Sequence, residues 1–193
     1  MLARDVAQAL REENISLPIL RATSRECVVF GSRAAGVASP SSDWDILVVG
    51  NLPGEPPDSS PVRRHQWGNL DLVVVVPEHT TTLDWLESEL ANHISEYGKW
   101  LWGDLTWKHE AYIGDRTLDA KTKALKRQWQ EIRRTTGYVA PLVTRLRLVR
   151  WRCDAQRLNC ILHHEAAPPT RVLHHIWDQL TPNKRATIIS KAG

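Results

Sequence analysis

Cysteine is scarce in this chain, with three among 193 residues. Cys27, Cys153 and Cys160 are too scattered for a disulfide framework, and no C-x-x-C pair suggests a zinc ribbon or a redox motif. They read as reduced thiols. Long apolar runs are also missing, since no stretch approaches the roughly 18 residues needed to span a bilayer. The opening MLARDVAQALREEN carries charges where a signal peptide needs an apolar segment, so the expected compartment is the cytoplasm. Hydrophobic residues at 42% and charged residues at 24% exclude a disordered, collagen-like or purely coiled-coil chain. Internal repeats and low-complexity tracts are absent, and the length suits one domain with an appendage or two small ones.

The formal charge of +3 conceals a division. Residues 1–115 hold nine Lys/Arg against 17 Asp/Glu, a balance of −8, and residues 116–193 hold 16 against five, a balance of +11. An acidic front is what a metal site produces, and a basic back has the electrostatic footprint of a polyanion-binding surface. Hydrophobic periodicity divides the chain at the same point. Leu2, Val6 and Leu10 predict a short helix ending near Asn14, before Pro18. ECVVFGS, DWDILVVG and QWGNLDLVVVVP predict three strands, the last with Val73–Val76 buried on both faces, and NLPGEPPDSSP predicts a loop. A short helix is expected at SRAAG, a longer one from 81 to 97 with Leu83, Leu90 and Ile94 inward, and a fourth strand at KWLWG. From 116 onward the pattern is helical: 116–135, then a helix with Pro141 in its first turn and Leu142, Leu146, Val149, Cys153 and Cys160 at helical spacing, then one opened by Pro168-Pro169, and a polar tail without evident structure. The predicted class is α+β, a mixed sheet flanked by helices over residues 1–115 and a basic helical bundle over 116–193.

Chemistry concentrates between Phe30 and Asp71. Gly31 ends a strand and permits close backbone approach to a ligand, and Ser32 starts a helical turn whose first N–H groups lack partners, which makes a seat for phosphate. Ten residues later come Asp43 and Asp45. Residues two apart in a strand share a face, so these carboxylates repel one another unless a cation lies between them. Dense hard oxygen ligands suit Mg²⁺. Asp71 sits between Leu70 and Leu72 on the next predicted strand, where it can project to the same face. The competing reading makes Asp43 a turn residue and leaves Asp45 and Asp71 exposed on edge strands.

This pattern of strand, Gly31-Ser32, ten residues, Asp43-x-Asp45 and a later Leu-Asp71-Leu-Val resembles the nucleotidyltransferase superfamily typified by DNA polymerase β, in particular its minimal and kanamycin-type members. The likeness is close over residues 27–76, rests on element order elsewhere in 1–113, and does not reach the helical tail. It implies that an NTP, ATP foremost, binds with its β- and γ-phosphates near Gly31 and Ser32, with Arg33 available to neutralise the triphosphate. It also implies two Mg²⁺ ions, or Mn²⁺, held by Asp43, Asp45 and Asp71, with Asp71 as general base for an acceptor hydroxyl that displaces pyrophosphate. Asp43, Asp45 and Asp71 are thus the expected catalytic and metal residues, and Gly31, Ser32 and Arg33 the expected nucleotide-binding ones.

The acceptor divides the possibilities. A tail of +11 is a poor neighbour for cationic aminoglycosides and a good one for RNA or tRNA. Protein AMPylation, as by minimal nucleotidyltransferases of toxin–antitoxin pairs, needs the same acids, and a nucleotide- or partner-binding module is the non-enzymatic alternative. Lys121, Lys123, Lys126 and Arg127 crowd one helix start, where they face solvent, a triphosphate or an RNA. Cys160, His163, His164, His174 and His175 match no zinc spacing. Arg157 and His163 have the R-x5-H spacing of HEPN ribonucleases, a pattern common by chance. Among nine tryptophans, Trp44, Trp67, Trp100, Trp102 and Trp107 lie near the expected sheet, mostly as core, with stacking on a base open to one of them.

Overall fold

A computed structural model describes residues 2–52, 60–104, 106–163 and 165–192. Most of the expected 51–61 loop and His164 therefore lie outside the described residues. The chain forms two compact units, Met1–Tyr112 and Ile113–Gly193. The first has helices α1 (Leu2–Glu12), α2 (Leu17–Thr23), α3 (Gly31–Ala34), α4 (Leu83–Leu86) and α5 (Glu89–Tyr97) around strands β1 (Ser24–Phe30), β2 (Trp44–Gly50), β3 (Val62–Trp67), β4 (Leu70–Val75) and β5 (Lys99–Trp102). The second holds α6 (Asp115–Thr135), α7 (Pro141–Leu162), α8 (Thr170–Gln179) and α9 (Pro182–Ala192). The class is α+β, as the sequence predicts. No helix among the described residues is long and apolar enough to cross a membrane.

The five strands run in the order β3-β4-β2-β1-β5. β2 and β4 pair in parallel, and every other pairing is antiparallel. Alternation along the strands separates two cores. Cys27, Val29, Ile46, Val48, Leu72 and Val74 face Val6, Leu10 and Leu20. Val28, Phe30, Leu47, Val49, Val73 and Val75 face Trp85, Ala91 and Ile94 on the other side. Both faces of β4 are buried, as the consecutive valines require.

The structure corrects several sequence expectations. The stretch expected as one strand from Gln66 is the end of β3, a Gly68-Asn69 turn with Gly68 at φ 49°, and β4. β3 leaves no signal in the sequence because, at the sheet edge, it reads VRRHQW and carries no apolar alternation. Pro18 does not end a helical region; it sits in the first turn of α2, where its missing N–H costs nothing. The helix expected over 81–97 is divided because Thr82 and Ser88 each cap a new start, Ser88 Oγ accepting from the Ala91 N–H at 3.0 Å. Leu83 is consequently exposed. Leu142 and Leu146 are also exposed, and α7 instead buries Trp151, Cys153, Ala155, Leu158 and Ile161. The tail is helical as α9.

Trp107 and Trp151 are the largest of the fully buried side chains. Trp85 and Trp107 meet edge to face at 5.2 Å, and Trp44 is buried as well. Trp107 Nε1 donates to Oε2 of fully buried Glu26 at 2.9 Å, while Arg25 donates to Oε1 through Nε at 3.1 Å. Removing that carboxylate strands an indole N–H in the core. Glu26→Ala is expected to cost about 2–3 kcal/mol, read as a lower urea midpoint, with Glu26→Gln milder because its oxygen can still accept from Trp107.

Candidate functional site

The site grows from the ends of three neighbouring strands. In the β1/β2 ladder Phe30 stands opposite Asp45, and in the β2/β4 ladder Asp45 stands opposite Asp71. Asp45 shares its face with Leu47, and Asp71 with Val73, because side chains alternate along a strand. The two carboxylates thus lie side by side on one face, on interior strands rather than edge strands. Asp43 precedes β2 and is exposed, Asp45 is half-buried, and Asp71 is buried at 4% exposure.

Gly31 closes the arrangement. It has φ 68°, and a Cβ there would collide with the Asp45 carboxylate, 2.8 Å from its Cγ and closer still to Oδ2. Only glycine allows that left-handed backbone to run so near the carboxylate. Ser32 and Arg33 follow in α3, both half-buried. The Arg33 guanidinium is engaged away from the strand carboxylates: Nη2 donates to the Ser42 carbonyl at 2.6 Å, Nε donates to the Asp43 carbonyl at 3.3 Å, and the group lies 4.3 Å from the centroid of the Trp44 ring. Arg33 braces the backbone that delivers Asp43 into β2.

Arg64 is the site residue that sequence reasoning missed. From β3 it grips Asp71 with two hydrogen bonds, Nε to Oδ1 at 2.7 Å and Nη2 to Oδ2. Such a planar fork fixes a carboxylate's orientation. The Gly68-Asn69 turn folds the arginine back beside Asp71.

Crowding of like charge is visible at Asp45. Burial first, then the charges of Asp71 and Asp43, push its carboxyl up to about 6, with Arg64 and Arg33 offsetting part of the effect. Among the described residues no group of three or more His, Cys, Asp or Glu is assembled to hold a metal ion. Two features account for this: Asp43 stands outside the strand, and Arg64 occupies both oxygens of Asp71. The donor chemistry nevertheless fits a hard divalent cation, because hard oxygen ligands are concentrated where Arg64 and Arg33 offset their mutual repulsion only in part. Asp43 and Asp45 could hold such an ion, and Asp71 could join them once released by Arg64.

Residues 9–61 match the family model described as a nucleotidyltransferase domain. The match lies wholly within the first unit. The match spans Gly31, Ser32, Arg33, Asp43 and Asp45 and stops before Arg64 and Asp71. Among solved structures, a nucleotidyltransferase-like protein from Exiguobacterium sibiricum 255-15 is 13% identical, with a TM-score of 0.36 over 96% of this chain and 70% of that one. A toxin-antitoxin structure with AMP-PNP is 18% identical, with a TM-score of 0.31 over 69% of this chain and 97% of that one. Comparison with curated proteins finds no match.

Arg157, His163 and Lys123, also singled out in the sequence, belong to the helical unit. Arg157 donates to Asp154 at 2.8 Å and to Thr170, and His163 Nδ1 lies 2.6 Å from the Asn159 carbonyl. Those contacts are local to the helical unit. Lys123 pairs with Asp119 one turn away, a surface contact of small energetic value.

Proposed function

We propose that the nucleotidyltransferase-type domain transfers a nucleoside monophosphate from an NTP, ATP foremost, to an acceptor hydroxyl with release of pyrophosphate. The observation that supports this reading is the in-register placement of Asp45 and Asp71 beside Gly31. A divalent cation, Mg²⁺ or Mn²⁺, held by Asp43 and Asp45 would supply charge neutralisation for the triphosphate. Gly31, bare of a side chain, lets the backbone of residues 31 and 32 come close to phosphate oxygens. Asp71 is oriented by the Arg64 fork, and one of its oxygens, once released, takes the proton of the attacking hydroxyl. Arg33 holds Asp43 in position through the loop carbonyls and brings positive charge to the phosphate side of the site.

For the acceptor, the charge of +11 on residues 116–193 supports a polyanion, and RNA is the class we propose. The decisive experiment incubates the full chain with Mg²⁺ and each labelled NTP, with and without RNA. Label on RNA is the expected result, weakening steeply as salt rises. Label on protein would replace the RNA reading with protein modification, and label nowhere would overturn transfer itself. Asp43→Ala is expected to abolish labelling while leaving thermal unfolding near that of the parent, because its carboxylate is exposed and outside the strand.

A further inference from the structure

Arg64 faces two ways. Its guanidinium holds both oxygens of Asp71, yet the arginine side chain is 70% exposed while that of Asp71 is 6% exposed. The fork therefore reaches in from solvent. In the β3/β4 register Gln66 stands opposite Asp71 and Arg64 opposite Val73, all on the face that carries Asp45. Arg64 thus crosses one diagonal step to the carboxylate.

The two partners are anchored unequally. Asp71 lies between Leu70 and Leu72 on a strand buried on both faces, so moving it means disturbing a close-packed core. β3 is an edge strand, and an exposed side chain changes rotamer within nanoseconds. A competitor for this ion pair therefore displaces the guanidinium and leaves the aspartate where it stands. While closed, the fork takes a lone pair of each oxygen and sets a positive charge beside them, and burial hides most of what remains. Asp71 then neither meets a cation nor accepts a proton.

The guanidinium itself specifies the competitor. The planar fork that fits a carboxylate also fits a phosphate. In RNA, the hydroxyl whose proton Asp71 takes arrives with its nucleotide's own phosphate one sugar away. Gln66, exposed and in register with Asp71, adds an amide donor on the same face.

We propose, resting on the transfer reaction proposed for this site, that Arg64 is a positioning residue that holds Asp71 until a phosphate of the acceptor draws the guanidinium away. Release of the carboxylate is thereby tied to an acceptor that carries phosphate beside its hydroxyl, which selects RNA over uncharged or cationic alcohols.

Both halves are tested by binding to the full chain without NTP, so that a protein unable to transfer still gives an answer. Mn²⁺ binding is followed by electron paramagnetic resonance. Arg64→Gln is expected to bind Mn²⁺ at least about tenfold more tightly than wild type, because a charged oxygen ligand is freed. Adding Asp71→Asn to that variant should remove the gain. Arg64→Lys keeps the charge but cannot fork both oxygens, and it should also tighten Mn²⁺ binding, by less. A single-stranded oligoribonucleotide is then titrated in EDTA at rising salt. Arg64→Gln is expected to weaken its binding and to lower the slope of log affinity against log salt by about 0.7, the value of one lost phosphate contact, whereas Arg64→Lys should preserve the slope. Thermal unfolding in EDTA checks that each variant folds. Mn²⁺ affinity unaltered in Arg64→Gln, a gain that survives Asp71→Asn, or RNA binding indifferent to Arg64→Gln overturns the proposal. Absence of nucleotidyl transfer by wild type, with all these shifts present, would count against the transfer reaction alone.

Discussion

Asp45→Asn is expected to abolish nucleotidyl transfer and to stabilise the cation-free protein. The loss of transfer follows from removing a cation ligand, an electrostatic contribution of several kcal/mol that corresponds to at least about 10³-fold in rate. The gain in stability follows from the strain the carboxylate carries. Its pKa moves from the ordinary 3.8 to about 6, so the folded chain prefers the protonated acid. The stability that Asp45 contributes is therefore fully present below about pH 4 and is lost as pH rises through about 6. Asparagine has no charge to lose. The advantage of the variant should be near zero at pH 4 and reach about 2–3 kcal/mol above pH 7, because each tenfold change in proton affinity is worth about 1.36 kcal/mol. Melting curves in EDTA across this range check the sign. Adding Mg²⁺ should raise the melting temperature of the parent at pH 7.5 and leave the variant nearly unmoved. A variant less stable than the parent at pH 8 would show that burial and neighbouring charge do not penalise the Asp45 carboxylate.

The second large effect belongs to Gly31→Ala. A methyl group there meets two independent obstacles, the left-handed backbone at φ 68° and the Asp45 carboxylate, whose Cγ lies 2.8 Å from the ideal Cβ position. The backbone conformation alone costs about 1–2 kcal/mol for a residue with a side chain. Relief of the collision requires Asp45 to rotate or β1 to move from β2, and misplacing a catalytic group by about 1 Å costs on the order of 10²-fold in rate. The expected outcome is a destabilisation of about 2–3 kcal/mol in urea, with transfer reduced at least about 10²-fold. Gly36 provides the comparison. It also has positive φ, at 74°, but nothing lies within 4 Å of its ideal Cβ, so Gly36→Ala carries the backbone cost without the collision and should retain most of its activity.

The distribution of legible and illegible features follows from the kind of signal each leaves. Gly31, Asp45 and Asp71 stood out in the sequence because a glycine at a strand end and an acid beside buried apolar residues break the local pattern. Placing Asp45 beside Asp71 needed only the alternation of strands and a parallel pairing. Arg64 left no such mark. Its role depends on β3 folding back, and an edge strand with one solvated side has no apolar period to announce it. Arg33 shows the opposite difficulty, since a guanidinium beside a proposed anion site has other acceptors nearby, and the carbonyls of Ser42 and Asp43 engage it within the chain.

Asp45 and Asp71 occupy matching rows of β2 and β4 because Leu47 and Val73, two residues further along, must both reach the same core. Hydrophobic burial is thus what compels two anions to stand as neighbours. Heat, urea or truncation of a core valine loosens that compulsion locally before the chain unravels. The domain should therefore fall silent as a catalyst while most of its circular dichroism is still intact.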